Sequence, residues 1–233
     1  MIASLPMYDP PHLQWANDAF WQAIRAALPF DTPATLTRGP GLWELWEDPD
    51  LLFTQTCGLP YAMRLHGKVH LVATPDFGLR DAAPGHYHST IITRASEAPR
   101  PGMRLAINGT NSQSGWGAAI GFAHSGVLVT GAHVDSMAAV RAEEADICFV
   151  DSLTLALNGL PDGLTTHGHS PSTPATPYIT ARPEWVAPLR AALETALTTM
   201  PAAARAALHL RGIVTIPAAQ YLAVPRPEAP QLA

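Results

Sequence analysis

The stretch Met103–Trp116 decides the fold of this chain, and it reads Met-Arg-Leu-Ala-Ile-Asn-Gly-Thr-Asn-Ser-Gln-Ser-Gly-Trp. Alternating apolar residues at Leu105 and Ile107 predict a short strand. A small polar loop follows over residues 108–114, and the Ala- and Gly-rich run over 116–123 then predicts a helix. This order of strand, polar loop and helix start presents unpaired backbone N–H groups at the positive end of the helix dipole, which favours a bound anion.

The polar loop supplies the first candidate ligand-binding residues, Ser112, Gln113 and Ser114. The two serines add hydroxyl donors to the backbone N–H groups, so we expect the loop to hold an anion without help from Lys or Arg. The alternative is that Asn111 or Ser112 only caps the predicted helix, because both residue types are favoured at that position.

Composition limits the partners of the chain. Its 233 residues fit one large or two small α/β domains. Charged residues make up 14%, well below the roughly 25% usual for soluble domains, and Lys68 is the single lysine. A formal net charge of -5 with no basic cluster argues against nucleic-acid binding.

The ends and apolar runs of the chain bear on its location. No apolar run approaches the roughly 18 residues of a transmembrane helix, so we expect no membrane segment. The start, Met-Ile-Ala-Ser-Leu-Pro-Met-Tyr-Asp-Pro, has neither a basic flank nor a sustained apolar core. We therefore predict a cytoplasmic protein, or a periplasmic one if a leader has been removed.

The sequence gives no reason to expect a metal or another cofactor. Cys57 and Cys148 are far apart and lack metal-type spacing, so both are predicted to be buried, reduced thiols. The pairs His86-x-His88 and His167-x-His169 lie in polar segments and have no obvious third ligand. We interpret these histidines as surface residues in mobile loops.

Strands alternate with helices along the chain, which predicts βαβ units and mixed, mostly parallel sheets flanked by helices. The predicted elements after the polar loop are a strand at 127–130, a helix at 134–142, a strand at 145–150 and a helix at 152–157.

Four further candidate ligand-binding residues follow predicted strands: Tyr8, Thr56, His133 and Asp151. Open α/β sheets bind ligands beyond the carboxyl ends of their strands, which is why these positions are singled out. Each has an ordinary alternative. Tyr8 is then a partly buried tyrosine, His133 a structural histidine, and Asp151 the N-cap of the helix that follows.

Several pieces of the sequence together resemble the phosphonate/phosphate-type substrate-binding proteins of ABC importers. The pieces are, in chain order, Met7-Tyr8-Asp9, Gln55-Thr56-Cys57-Gly58-Leu59-Pro60-Tyr61, Tyr87-His88-Ser89, Asn111-Ser112-Gln113-Ser114-Gly115, Thr130-Gly131-Ala132-His133, Ala145-Asp146-Ile147-Cys148-Phe149-Val150-Asp151, and the return segment from Ser170-Pro171 to Pro177. The fourth piece is similar to the Ser-x-Ser-Gly loop of the family.

The resemblance implies a two-lobed α/β fold of the type II periplasmic-binding-protein kind. One lobe would hold residues 1–93 and 178–233 and the other residues 94–177, with the ligand clamped in a cleft between them by a hinge motion. It also implies that Tyr87 and Ser89 face the ligand, and that an ABC importer permease is a partner if the protein is exported. Relatives that bind aminoalkyl phosphonates carry acidic residues for the ligand amine, whereas the return segment here offers Ala175 and Thr176.

We therefore predict a non-enzymatic solute-binding protein that clamps a small phosphate- or phosphonate-like oxyanion. One alternative is a cytoplasmic sensor or carrier of another small polar molecule with the same fold. Another is a hydrolase that uses Ser114, His133 and Asp151, which are the residue types of a hydrolytic triad. The chain has no Gly-x-Ser-x-Gly elbow, which speaks against the hydrolase.

Overall fold

The computed structural model describes residues 1–230, and the chain forms two compact α/β units. Unit 1 comprises residues 1–85 and 174–223, and unit 2 comprises residues 86–173 and the segment that begins at Val224. The sequence placed these boundaries at 93/94 and 177/178. The first differs because the strand Ser89–Arg94 pairs within the sheet of unit 2. The sequence assigned the C-terminal tail to the first lobe, whereas the structure groups the segment that begins at Val224 with unit 2. Residues 231–233 of the tail lie outside the described residues.

Within residues 1–230 the strands build two five-stranded sheets and one two-stranded ladder. In chain order the strands are β1 (Ile2–Ala3), β2 (Leu51–Gln55), β3 (His70–Asp76), β4 (His86–Tyr87), β5 (Ser89–Arg94), β6 (Met103–Ile107), β7 (His124–Val129), β8 (Ile147–Asp151), β9 (Leu164–His169), β10 (Thr173–Pro174), β11 (Tyr178–Thr180) and β12 (Gly212–Val214). The ladder joins β4 and β10.

The α-helices alternate with strands only in part, because β3 to β7 follow one another without an α-helix between them. They are α1 (Gln14–Ala27), α2 (Leu42–Trp46), α3 (Gly58–Pro60), α4 (His133–Arg141), α5 (Ser152–Asn158), α6 (Val186–Thr199), α7 (Ala202–Ala207) and α8 (Ala218–Leu222). Single 3-10 turns occur at Pro6–Tyr8, Pro11–Leu13, Gly117–Ala119 and Pro183–Trp185, and a π-helical turn at Tyr61–Leu65. No helix in the described part of the chain is both long and apolar enough to span a bilayer.

Unit 1 is organised around a sheet with the order β1-β2-β11-β3-β12. β1 and β2 are parallel, whereas β11 runs antiparallel to β2 and β3, and β12 runs antiparallel to β3. Helix α1 buries Ala16, Phe20 and Ile24, which recur at the spacing of one helix face. It packs against α6.

Unit 2 has the sheet order β7-β6-β8-β5-β9. β6 is parallel to β7 and β8, and β5 is antiparallel to β8 and β9. Every residue of β8 is buried, and α4 packs on β8 and β6. The sheets are mixed, as predicted, but they are not mostly parallel. Antiparallel pairs are the majority in the two sheets, because β5, β11 and β12 run against their neighbours.

A network of ion pairs holds the end of unit 2 remote from the polar loop. Asp146 accepts hydrogen bonds from the Arg94 guanidinium at 2.9 Å and from the Arg104 guanidinium at 2.8 Å. Arg94 also donates to the carbonyls of Val140 and Ala145, and so fixes the chain between α4 and β8. The hydrogen bond from the Arg104 side chain is the main reason that the pKa of Asp146 lies well below its usual range.

This network predicts how stability depends on pH. Because the pKa of Asp146 is lower in the folded protein than in the unfolded chain, its stabilising contribution is present above the unfolded pKa of about 4 and is lost as the pH falls further. We expect Asp146→Asn to lower the free energy of unfolding at pH 7, and the difference from the parent to shrink below about pH 4. Urea unfolding at several pH values measures this. The exposed Asp162→Asn is the control, and an equal loss in both variants would contradict the prediction.

Candidate functional site

The candidate site in unit 2 is built at the ends of neighbouring strands. The polar loop follows β6, His133 begins α4, Asp151 ends β8, and Ser89 begins β5. Because β6, β8 and β5 are adjacent in the sheet, the topology brings these positions to one edge. Ser89 lies directly opposite Asp151 in the antiparallel register. This edge therefore collects polar residues that are widely separated in the sequence.

The polar loop does not lead into the predicted helix, and that prediction was wrong. A single 3-10 turn at Gly117–Ala119 follows instead, and β7 begins at His124. Gly121, with φ of 82°, lies in the left-handed region and ends the turn. The loop is therefore not the start of a helix, and its amides are not aligned by a helix dipole.

Ser112 acts within the loop itself. Its hydroxyl accepts a hydrogen bond from the Gly115 N–H at 3.0 Å, and its carbonyl accepts one from Gly117 N–H at 2.9 Å. Gly115 has no room for a side chain, because a Cβ there would lie 2.1 Å from Asn108 Oδ1. The alternative of a local cap is thus observed, although it closes a turn rather than a helix, and the role of the Ser112 hydroxyl as a donor to a ligand stays a prediction.

Ser114 and His133 form the central contact of the site. Ser114 Oγ lies 2.8 Å from His133 Nε2, and both residues are at least nine-tenths buried. His133 is the first residue of α4, and no side chain caps this helix. The unpaired N–H groups of its first turn are therefore next to the imidazole. The anion-favouring helix start that we expected after the loop is supplied by α4 instead.

Asp151 completes this group. Its Oδ2 atom lies 3.3 Å from His133 Nε2, the same nitrogen that contacts Ser114. Asp151 is also the N-cap of α5, since its Oδ1 atom accepts from the Thr154 N–H at 2.8 Å. The alternative role as an N-cap is thus observed, together with a contact to His133.

Burial dominates the electrostatics of His133. Removal of the imidazole from water lowers its pKa, and the negative charge of Asp151 and contact with the Phe149 backbone oppose this effect only in part. The ring is therefore neutral at pH 7 and can donate one hydrogen bond. An anion bound beside it would favour the protonated form and raise the pKa.

Asp151 offers a test that separates its two roles. Asparagine and aspartate are similarly good N-caps, whereas loss of an N-cap side chain costs about 0.5–2 kcal/mol. We expect Asp151→Ala to lower the free energy of unfolding by about that amount and Asp151→Asn to lower it much less. Urea denaturation of both variants measures this. If Asp151→Asn is as damaging as Asp151→Ala, the charge beside His133 stabilises the fold more than the cap does.

The three residues do not have the geometry of a hydrolytic triad. In a triad the serine and the acid bind opposite nitrogens of the histidine. Here Ser114 and Asp151 both contact Nε2, and no carboxylate among the described residues pairs with Nδ1. The arrangement therefore lacks the group that would orient His133 as a general base.

The histidine pairs are not in mobile loops, so that interpretation was wrong. His86 lies in β4, and His167 and His169 lie in β9. The buried His88 ring lies 4.0 Å from that of His169, measured between centroids. Strand pairing of β5 with β9 places them there, which the local sequence did not reveal. Among the described residues, no group of three or more His, Cys, Asp or Glu side chains is arranged to hold a metal.

The remaining candidates are distributed over both units. Tyr87 is buried in β4 of unit 2, and Gln113 donates to Thr173 Oγ1 at 2.7 Å. Tyr8 and Thr56 belong to unit 1. Tyr8 ends a 3-10 turn and its ring meets the edge of Phe77 at 5.6 Å, whereas Thr56 is fully buried just after β2. Their role in ligand binding stays a prediction.

One polar residue that the sequence analysis did not select belongs to the same edge. Asn108 directly follows β6, and its Oδ1 atom is buried without a hydrogen-bond partner among the described residues. A buried acceptor of this kind is costly unless something donates to it. Its position immediately after a strand, before a glycine, was the available signal.

Two α/β units, each with a mixed sheet flanked by helices and joined by chain that returns to the first unit, have the architecture of the type II periplasmic-binding-protein fold. Solved structures with this fold match the chain and confirm the predicted fold class.

Solved structures with this fold include phosphonate-binding proteins. PhnD1 from Prochlorococcus marinus, in complex with methylphosphonate, matches with a TM-score of 0.72 and 12% identity over 94% of this chain and 93% of its own. A binding-protein component of an ABC phosphonate transporter from Pseudomonas aeruginosa matches with a TM-score of 0.67 and 14% identity, over 91% and 80% of the two chains. XAC2383 from Xanthomonas citri, bound to chloride ion, matches with a TM-score of 0.65 and 12% identity, over 93% and 91%.

No protein-family model matches the sequence, and no curated protein does either. At 12–14% identity, the matches to solved structures establish the fold alone. The ligand must therefore be argued from the residues of this chain.

Proposed function

We propose that this chain is a non-enzymatic solute-binding protein for a small oxyanion of the phosphate or phosphonate kind. The observation that carries the proposal is the contact between Ser114 and His133 at the uncapped start of α4. The neutral imidazole and the hydroxyl carry one donatable hydrogen each, and one of the two is used in their mutual hydrogen bond. The other hydrogen and the unpaired backbone N–H groups of α4 are the donors that suit an oxyanion. The phosphonate-binding proteins that share the fold support this choice of ligand.

The carboxylate of Asp151 is the feature that most opposes an anion at this site. Its charge is already engaged, because Thr154 N–H donates to it and His133 lies beside it. Its position as the N-cap of α5 places it at the positive end of a helix dipole. Both effects reduce the repulsion that it exerts on a ligand held by Ser114 and His133.

The proposal is tested by calorimetry of the unmodified protein with phosphate, phosphite, methylphosphonate and sulfate. We expect at least one of them to bind, with little dependence on salt, because the donors are buried dipoles rather than an exposed basic patch. If none binds at millimolar concentration, the oxyanion proposal fails. A cytoplasmic sensor or carrier of another small polar molecule would then be the better hypothesis.

Other parts of the proposal rest on the resemblance to the family. They include closure of the two units on the ligand with Tyr8 and Thr56 taking part, and an importer permease as partner. Native mass spectrometry of the freshly purified protein tests the ligand class directly, because it weighs whatever small molecule has co-purified. A small molecule that contains neither phosphorus nor sulfur would count against the proposed ligand class.

A further inference from the structure

A cavity in unit 1 is lined by none of the residues discussed so far as ligand-binding. It has a volume of about 580 Å³ and is formed where the chain leaves β3 and where it enters β12. Three of its lining residues, Arg205, His209 and Arg211, have basic side chains, and none of the lining residues is acidic. Ala202 and Ala206 add exposed apolar surface.

The side chain of Arg205 holds the backbone that borders this cavity. Its guanidinium donates to the carbonyls of Leu197, Leu210 and Arg211, at 3.0, 2.9 and 2.6 Å. These bonds tie the end of α7 to the segment that leads into β12. His209 lies within that segment in the left-handed region, with φ of 53°, a conformation that few residues other than glycine adopt. The backbone around the cavity is thus well determined.

The side chain of Arg211 has a defined position, but its guanidinium makes no hydrogen bond or ion pair within the described residues. Its side chain lies across Gly78, where a Cβ atom would be 2.0 Å from Arg211 Nε. Gly78 also has φ of +59°, so both the space and the backbone conformation require glycine there. Within residues 1–230 the Arg211 guanidinium has no hydrogen-bond or ion-pair partner, and the Asp76 carboxylate accepts instead from the Gly78 N–H at 2.9 Å.

We propose that this cavity is a second anion site, which takes small organic anions with a phosphate or carboxylate head group and an apolar body. The planar guanidinium of Arg211 presents paired donors that match either head group. The exposed alanines of α7, Ala202 and Ala206, offer contact surface for the apolar body. This cavity differs from the Ser114–His133 site because it binds an anion through the full positive charge of an exposed guanidinium. We therefore expect its affinity for the anion to be lower and to fall as the salt concentration rises.

The test is an NMR titration of the full chain at low ionic strength with phenyl phosphate, benzoate and benzyl alcohol. We expect saturable shifts of the Gly78, His209 and Arg211 amides with one or both anions and not with the neutral alcohol. The two anions decide between a phosphate and a carboxylate head group. Raising the salt concentration should weaken the binding.

Two variants complete the test. Arg211→Gln should weaken binding roughly 3- to 10-fold, since it removes an exposed, charged pair of donors. Arg141→Gln, which removes an exposed arginine from α4 in unit 2, should leave binding unchanged. The proposal is overturned if the amides do not respond, if benzyl alcohol binds as well, or if Arg211→Gln matches the parent. Because no residue of the Ser114–His133 site lines this cavity, failure of the oxyanion proposal would not affect the result.

Discussion

Replacing Ser114 by alanine is expected to weaken oxyanion binding by roughly 10- to 150-fold. The hydroxyl lies 2.8 Å from His133 Nε2 and is buried, so its loss removes one donor to the ligand and one partner of the imidazole. A hydrogen bond to a charged group contributes about 1.5–3 kcal/mol, which corresponds to that range of affinity. Calorimetry with whichever of the four oxyanions binds the parent measures the change.

The matched control is Ser125→Ala. Ser125 was predicted to lie in a loop after a helix, but it is an exposed residue of β7. We expect this variant to bind the ligand as the parent does. If an oxyanion binds the parent and Ser114→Ala binds it equally well, a ligand site exists but does not include the polar loop after β6.

The second large effect is on stability. We expect Trp46→Ala to lower the free energy of unfolding by about 3–5 kcal/mol, the usual cost of truncating a buried Trp or Phe. Trp46 is 1% exposed, and its indole N–H donates to the Gln55 carbonyl at 2.9 Å. The variant therefore loses core packing and also leaves a buried carbonyl at the end of β2 without its donor.

Trp15→Ala is the control for this prediction, because Trp15 is 51% exposed at the start of α1. Urea unfolding should show a change of about 0.5 kcal/mol or less for an exposed position of this kind. A loss smaller than about 1 kcal/mol for Trp46→Ala would mean that the core of unit 1 collapses around the missing indole. Trp46 donates to the carbonyl of Gln55, the residue directly before Thr56. Reduced ligand binding by a folded Trp46→Ala protein would therefore support the predicted role of Thr56 in ligand binding.

Local sequence patterns determined much of unit 2. The strand at β6 and the sequence β7-α4-β8-α5 were predicted within a few residues of their observed bounds. These elements are recognisable because each contains a contiguous apolar run or a helical spacing that does not depend on distant residues. The run at 116–123 misled the prediction for the opposite reason. Alanines favour a helix, but Gly117 and Gly121 interrupt it, and the chain must return to pair β7 with β6.

The candidate site likewise has positions that local sequence predicted and contacts that it did not. The sequence placed Ser114, His133 and Asp151 at strand ends, because a strand ends where its apolar run ends. It did not determine that Ser114 and Asp151 would meet on one nitrogen of His133, nor that Ser89 would lie opposite Asp151.

Those contacts depend on sheet order and strand register, which join residues far apart in the chain. Register is set by which faces of all the strands are buried together, and no single segment contains that information. The same holds for Arg211, whose position over Gly78 arises from the pairing of β12 with β3. The sequence by itself therefore determined which elements form and where their polar ends lie. Only the tertiary structure decided which of those ends meet.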